Sequence, residues 1–272
     1  MQSCNRFSSS FFDKSVKRSG SKPDIKASRS FGQILTHVSS SLHNIDNMPA
    51  VLLVFTSCSK TLTGKPTGWY LPEAAHPYYI LSPHATIDFA SPAGPNPPID
   101  EYSVKMFTDD ESVNFLKDPA VQAKFASAKK LSDVNVKDYD AILYIGGHGP
   151  CIDLSVDPVN VKLASEFFQA GKITAAVCHG PAAIVGAVDA EGKSIFAGRA
   201  ATGFSNAEEN AVDMVQEIPF LLEDRIVSLG GKYEKAAEIW GPHVVRDGVL
   251  ITGQNPSSAG PIGKEILKAL TQ

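Results

Sequence analysis

The chain has 272 residues, 43% of them hydrophobic and 20% charged, with a formal net charge of −4. That suits one large domain and excludes collagen-like, low-complexity and wholly disordered classes. Mild acidity argues against nucleic acid or an anionic membrane as the main partner, and no apolar run nears the roughly 18–20 residues of a membrane-spanning helix.

Residues 1–47 differ from the rest. They carry seven Lys/Arg, three acids and twelve serines, so their net charge is +4 against −8 for residues 48–272. Three readings fit this basic, Ser-rich extension: a disordered tail, a mitochondrial transit peptide, or a stretch upstream of a working start at Met48. The catalytic domain is expected over 48–272. The four cysteines, Cys4, Cys58, Cys151 and Cys178, form no CxxC pair, and no permitted Asn-x-Ser/Thr acceptor occurs. Both facts suit a reducing compartment. The expected location is the cytoplasm, with the nucleus a second compartment, and the mitochondrion if residues 1–47 act as a transit peptide.

Val51 to Thr56 is a continuous apolar run, the pattern of a strand buried on both faces. A helix is expected from Pro72, a strand from Ala85 to Ala90, and a loop over the Pro-rich residues 91–98. Residues 109–137 read as a mostly helical, charged insertion that joins the 92–102 loop in a small lid. Tyr139 to Gly147 is a buried strand running into Gly146-Gly147-His148-Gly149. Val161 to Ala170 is a helix, Ile173 to Val177 a strand, and Ala182 to Val188 a helix. Strands are expected at Thr202–Phe204 and Arg225–Ser228, a hairpin at Val244–Thr252 and a last helix at Lys264–Leu270. The alternation predicts an α/β doubly wound, mostly parallel sheet with helices on both faces.

Ala176-Val177-Cys178-His179-Gly180 places a thiol between a strand and a helix with a small residue two positions to either side. This is the steric signature of a nucleophile elbow, whose tight turn has no room for bulk. A helix N-terminus beside the sulfur would favour the thiolate; the competing reading is a buried structural cysteine. The Gly147 and His179 N–H groups could form an oxyanion hole, while a phosphate cradle lacks the required Lys and Gly spacing. His179 adjoins Cys178, which points the two side chains apart and leaves its role as base to the turn geometry. His76, His84, His148 and His243 lack ligand spacing, so no metal is expected. From spacing alone Glu73, Glu208 and Glu209 read as surface carboxylates, although Glu73 sits among apolar and small residues.

These residues together resemble the DJ-1/PfpI superfamily, most closely its fungal Hsp31-like branch of glutathione-independent glyoxalases (glyoxalase III). The likeness rests on the Cys178 elbow, Gly147-His148-Gly149, the Glu73-to-Pro77 segment, Thr202–Phe204 and the run Thr252 to Ala259, and it extends from about Val51 to the C-terminus. It implies a flavodoxin-like fold, a homodimer, no cofactor and a small 2-oxoaldehyde substrate. It also implies Cys178 as nucleophile, His179 as its partner and Glu73 as the acid that moves protons. Glu209 falls at the third, His-orienting acid, with Glu208 one residue away. The implied reaction turns methylglyoxal and water into lactate. Cys151, beside the elbow, is expected to be a packed loop residue. Competing functions are a stress-response holding chaperone, a Cys-dependent peptidase or amidase, and an oxidation sensor.

Overall fold

Ala50–Val54 form strand β1, whose apolar side chains are buried on both faces, as its unbroken hydrophobic run requires. It pairs in parallel with β2 (Thr86–Ser91) on one side and β4 (Ala141–Tyr144) on the other, with Val51 opposite both Ile87 and Ala141. Outside β2 lies β3 (Lys129–Lys130); beyond β4 come β5 (Ile173–Val177), β9 (Leu250–Gly253) and an antiparallel edge, β8 (Val244–Asp247). A short parallel pair, β6 (Ala200–Ala201) with β7 (Lys232–Tyr233), stands apart. The computed structural model describes residues 48–272; the expectations for residues 1–47 lie outside the described residues.

The order β3-β2-β1-β4-β5-β9-β8 changes direction between β1 and β4. The chain runs outward through β2 and β3, then returns to β4 and continues to β5. In open α/β sheets such a reversal leaves a crevice at the carboxyl ends of the strands, where ligands bind. Glu73, Gly147 and Cys178 follow β1, β4 and β5 respectively, so three adjacent central strands deliver them to one edge of the sheet.

Helices cover the sheet. Leu71–Leu81 starts with Pro72 in its first turn, where the missing N–H costs nothing. Pro158–Gln169 is capped by the Asp157 carboxylate, which accepts from the Val159 and Asn160 N–H groups. The C-terminal helix, Ala259–Leu270, begins five residues before Lys264 and buries Ile262 and Ile266, four positions apart. No helix among the described residues is long and apolar enough to cross a membrane.

Four expectations are corrected. Arg225–Ser228 belongs to a helix, Leu222–Ser228, because Leu222 and Ile226 bury one face at helical spacing. Thr202–Phe204 is not a strand, as pairing stops at Ala200–Ala201. The elbow opens into a short 3-10 turn, Gly180–Ile184, in place of an α-helix over 182–188. Residues 109–137 do not form a lid. They make two capped helices, Asp110–Lys117 and Pro119–Ala126, then β3 and two 3-10 turns. Phe115 and Phe125 bind this layer to Trp69, Phe55 and Phe89 in one aromatic cluster, with Phe125 stacked on Trp69 at 5.0 Å between centroids. The segment that does wall the crevice is Asp100–Phe107, including the helix Glu101–Met106.

Candidate active site

Cys178 ends β5 with φ of +62°, a left-handed conformation that non-glycine residues rarely adopt. Two backbone hydrogen bonds hold it there: its N–H donates to the Gly253 carbonyl and its carbonyl accepts from the Phe204 N–H, both at 2.8 Å. The turn has no room for bulk at Gly180, where a Cβ would stand 2.4 Å from the Tyr144 carbonyl oxygen. The sulfur is nearly fully buried.

Glu73 enters from the first turn of Leu71–Leu81 and is wholly buried. Its Oε2 accepts the Gly146 N–H at 2.9 Å, its carboxyl also hydrogen-bonds the Cys178 thiol, and Oε1 has no partner among the described residues. Gly146 makes this approach possible, since a Cβ there would lie 2.4 Å from Glu73 Oε2 and 2.8 Å from Cys178 Cβ. Burial holds the Glu73 carboxyl well above its usual range, which favours its neutral, protonated form. Burial likewise pushes the Cys178 thiol up, and a negative charge on Glu73 pushes it further. The expectation of a thiolate favoured by a helix N-terminus is therefore corrected. The five-residue 3-10 turn supplies little dipole, and desolvation dominates.

On the other side of the sulfur, His179 Nδ1 lies 3.5 Å from Cys178 Sγ, so the adjacent side chains converge where the sequence pointed them apart. The ring's Nε2 is 2.6 Å from Glu209 Oε2, and His148 Nε2 is 3.0 Å from Glu209 Oε1. A carboxylate only accepts, so each imidazole carries its proton on Nε2, and His179 presents a bare Nδ1 to the thiol. Burial alone would raise the Glu209 carboxyl, but the two imidazoles hold it far below the usual range. Burial lowers the His179 pKa against the pull of Glu209, which keeps the ring neutral.

Glu208 does not reach His179. Its side chain closes a capping box with Ser205 at the start of the helix Asn206–Ala211 and accepts from Gln254 Nε2 at 3.0 Å and Asn255 Nδ2 at 2.8 Å. The Thr252-to-Asn255 run thereby acquires a physical role, because its two side-chain amides satisfy a buried carboxylate on the element that carries Glu209. Alternation of carboxylates along that helix sends Glu208 to the polar network and Glu209 to the imidazoles. Sequence reasoning missed His148, whose position at the end of β4 was the available signal. It also missed Phe204, whose ring lies 4.3 Å from that of His179. Cys151 is buried on the short helix Gly149–Ile152, and burial raises its thiol pKa. His76 hydrogen-bonds Asp109 at 3.0 Å near the surface.

Two sets have the spacing of a cation site: His148, His179 and Glu209, and the more exposed His76, Asp109 and Glu111. In the first, both carboxylate oxygens already hold imidazole protons, which a cation would have to displace. The Gly147 N–H finds no acceptor among the described residues, and the His179 N–H points to the Cys178 sulfur. Above these groups opens a cavity of about 900 Å³ bounded by Tyr70, Asp100–Tyr102, Lys105–Phe107, Phe204, Val212, Met214 and Trp240.

The family model of the DJ-1/PfpI family matches residues 100–269. The chain is 32% identical over 231 residues to the glutathione-independent glyoxalase HSP31 of Saccharomyces cerevisiae, a match covering 81% of this chain and 97% of that protein. Its fold is similar to Rapid Encystment Protein 24 KDa of Francisella tularensis, with a TM-score of 0.77, 37% identity and coverage of 82% and 99%. It is also similar to glyoxalase III of Candida albicans, with a TM-score of 0.74, 27% identity and coverage of 82% and 97%.

Proposed function

The chain belongs to the DJ-1/PfpI family, and we propose that it is a glutathione-independent glyoxalase, a lyase converting methylglyoxal and water to lactate through Cys178. The observation that carries this reading is one buried thiol between a buried carboxyl, Glu73, whose protonated form burial favours, and an imidazole, His179. A proton-shifting reaction needs both partners, whereas simple acyl transfer needs only the base.

The bare Nδ1 of His179 takes the thiol proton as Sγ adds to the aldehyde carbon. The resulting imidazolium rests on the Glu209 carboxylate, and the Gly147 and His179 N–H groups receive the C1 oxyanion. Glu73 gives its proton to the ketone oxygen, and the carboxylate so formed takes the C1 proton and returns it to C2. The oxyanion then collapses to a thioester. Water attacks, its proton restores Glu73, and His179 returns the first proton to the departing sulfur. One carbon is oxidised as its neighbour is reduced, so no electron leaves the substrate. A homodimer is part of the same reading and rests on the resemblance alone.

The test is methylglyoxal loss and lactate formation by purified protein without glutathione, beside Cys178→Ala. Turnover should vanish in the variant. Equal activity in both proteins would remove Cys178 from the chemistry. If neither turned over, a thiol still alkylated by a maleimide would favour the peptidase or sensor readings.

A further inference from the structure

The cavity over Cys178 is larger than a three-carbon oxoaldehyde requires. At about 900 Å³ it stands near the top of the roughly 300–1,000 Å³ range of drug-sized sites. The groups assigned to the chemistry gather at its floor, while Tyr102, Met106, Phe107, Val212 and Trp240 line its outer part. Tyr102 and Met106 are 61% and 57% exposed, and Trp240 40%. These are large apolar side chains held open to water at the entrance.

Trp240 carries a second, independent sign. Its φ is +68°, an outlier for a bulky residue, and such backbone concentrates where function requires it. Its N–H donates to Glu208 Oε1 at 3.3 Å. Its indole lies 5.8 Å from the Phe204 ring, which in turn packs against His179. The strained position thus continues an aromatic surface from the base to the entrance.

We propose that the preferred substrates are 2-oxoaldehydes whose ketone carbon bears an aryl or long alkyl group, seated on the apolar wall that includes Trp240 and Tyr102. The inference rests on the glyoxalase reading and specifies its substrate class. With phenylglyoxal the atoms balance as before. The thiol adds to the aldehyde carbon, the C1 proton moves to C2, and one water releases mandelate, with the aldehyde carbon oxidised and the ketone carbon reduced. Burying an aryl ring is worth on the order of ten- to a hundredfold in affinity.

The experiment compares kcat/KM for methylglyoxal and phenylglyoxal, following lactate and mandelate, in the full chain and its Cys178→Ala, Trp240→Ala, Trp240→Phe and Tyr102→Ala variants. The unaltered protein should favour phenylglyoxal at least tenfold. Trp240→Ala should cut that preference about tenfold, chiefly through KM, and Trp240→Phe should restore most of it. Tyr102→Ala, at a more exposed position, should also reduce the preference and covers the case in which Trp240→Ala fails to fold. Turnover of methylglyoxal with no preference for phenylglyoxal would overturn the inference and leave the glyoxalase reading standing. An unchanged preference in both alanine variants would equally overturn it. Turnover of neither substrate would remove both.

Discussion

Glu73 and Cys178 are buried side by side and compete for protons. Burial raises both groups and ionising either makes ionising the other harder, so the protonated thiol and carboxyl are favoured together. This separates two roles that sequence spacing alone would merge. If Glu73 moves protons between carbons, Glu73→Gln should lower lactate formation by two to three orders of magnitude, within the range for a general acid-base group. The same variant should alkylate at Cys178 as fast as the unaltered protein or faster, because the charge that raises the thiol pKa can no longer form. Parallel kinetics of turnover and iodoacetamide labelling decide the matter. Equal losses in both would reduce Glu73 to a group that sets the state of the thiol. His148 belongs to the same scale: by holding Glu209 Oε1 it fixes the carboxylate that fixes the His179 tautomer, a chain of positioning in which only His179 meets the sulfur.

At the scale of elements, the elbow was legible because its demand is local and steric. Ala176 and Gly180 announce a tight turn whatever the rest of the fold does. The structure gives the demand a magnitude, since a Cβ at Gly180 would lie 2.4 Å from the Tyr144 carbonyl oxygen at the end of β4. Gly180→Ala must push β4 and β5 apart, which overpacking data put at about 1–3 kcal/mol. At roughly 2–4 °C per kcal/mol for a domain of this size, its melting temperature should fall by about 2–12 °C. A melting curve superimposable on that of the unaltered protein would show that the turn relaxes freely. Glu73 and Glu209 were not legible from spacing. Glu73 meets the elbow because strand order sets β1 beside β4 and β4 beside β5, and Glu209 meets His179 from the helix Asn206–Ala211; no local pattern encodes either contact, and only the family resemblance pointed to them. Arg225–Ser228 shows the complementary failure. A four-residue segment with only Ile226 and Val227 apolar fits a strand as well as one helical turn, and the burial of Leu222, four residues before Ile226, decides between them. The 110–126 segment was misjudged for a related reason: its charges are visible in sequence, while Phe115 and Phe125, which tie it to the sheet, are two residues among many polar ones.

Across the whole molecule, the buried carboxyls pull stability in opposite directions with pH. Glu209 is held far below the usual carboxylate range, and Glu217, beside Lys65 and the Thr61 and Thr63 hydroxyls, is held down to about 2. Groups depressed in the folded state contribute stability above their unfolded pKa and lose it as pH falls through the folded one, so these two weaken the fold below about pH 4.5. His179, also depressed, adds stability that is complete above its ordinary value of 6.5 and fades below it. Glu73 has the reverse sign. Its folded pKa is raised well above 4.5, so the folded chain binds that proton more tightly than the unfolded chain. Stability from Glu73 is fully present below about pH 4.5 and is lost as pH rises through the folded pKa. The contribution of Glu73 can be isolated by subtraction, because Glu209, Glu217 and His179 titrate in both the unaltered protein and Glu73→Gln. The melting temperature of Glu73→Gln minus that of the unaltered protein should therefore increase steadily between pH 5 and 8, below the ordinary range of the Cys178 thiol. A difference that stayed flat across that window would mean Glu73 is ionised in the fold at neutral pH. The proton that the proposed mechanism delivers to the ketone oxygen would then have to come from His179.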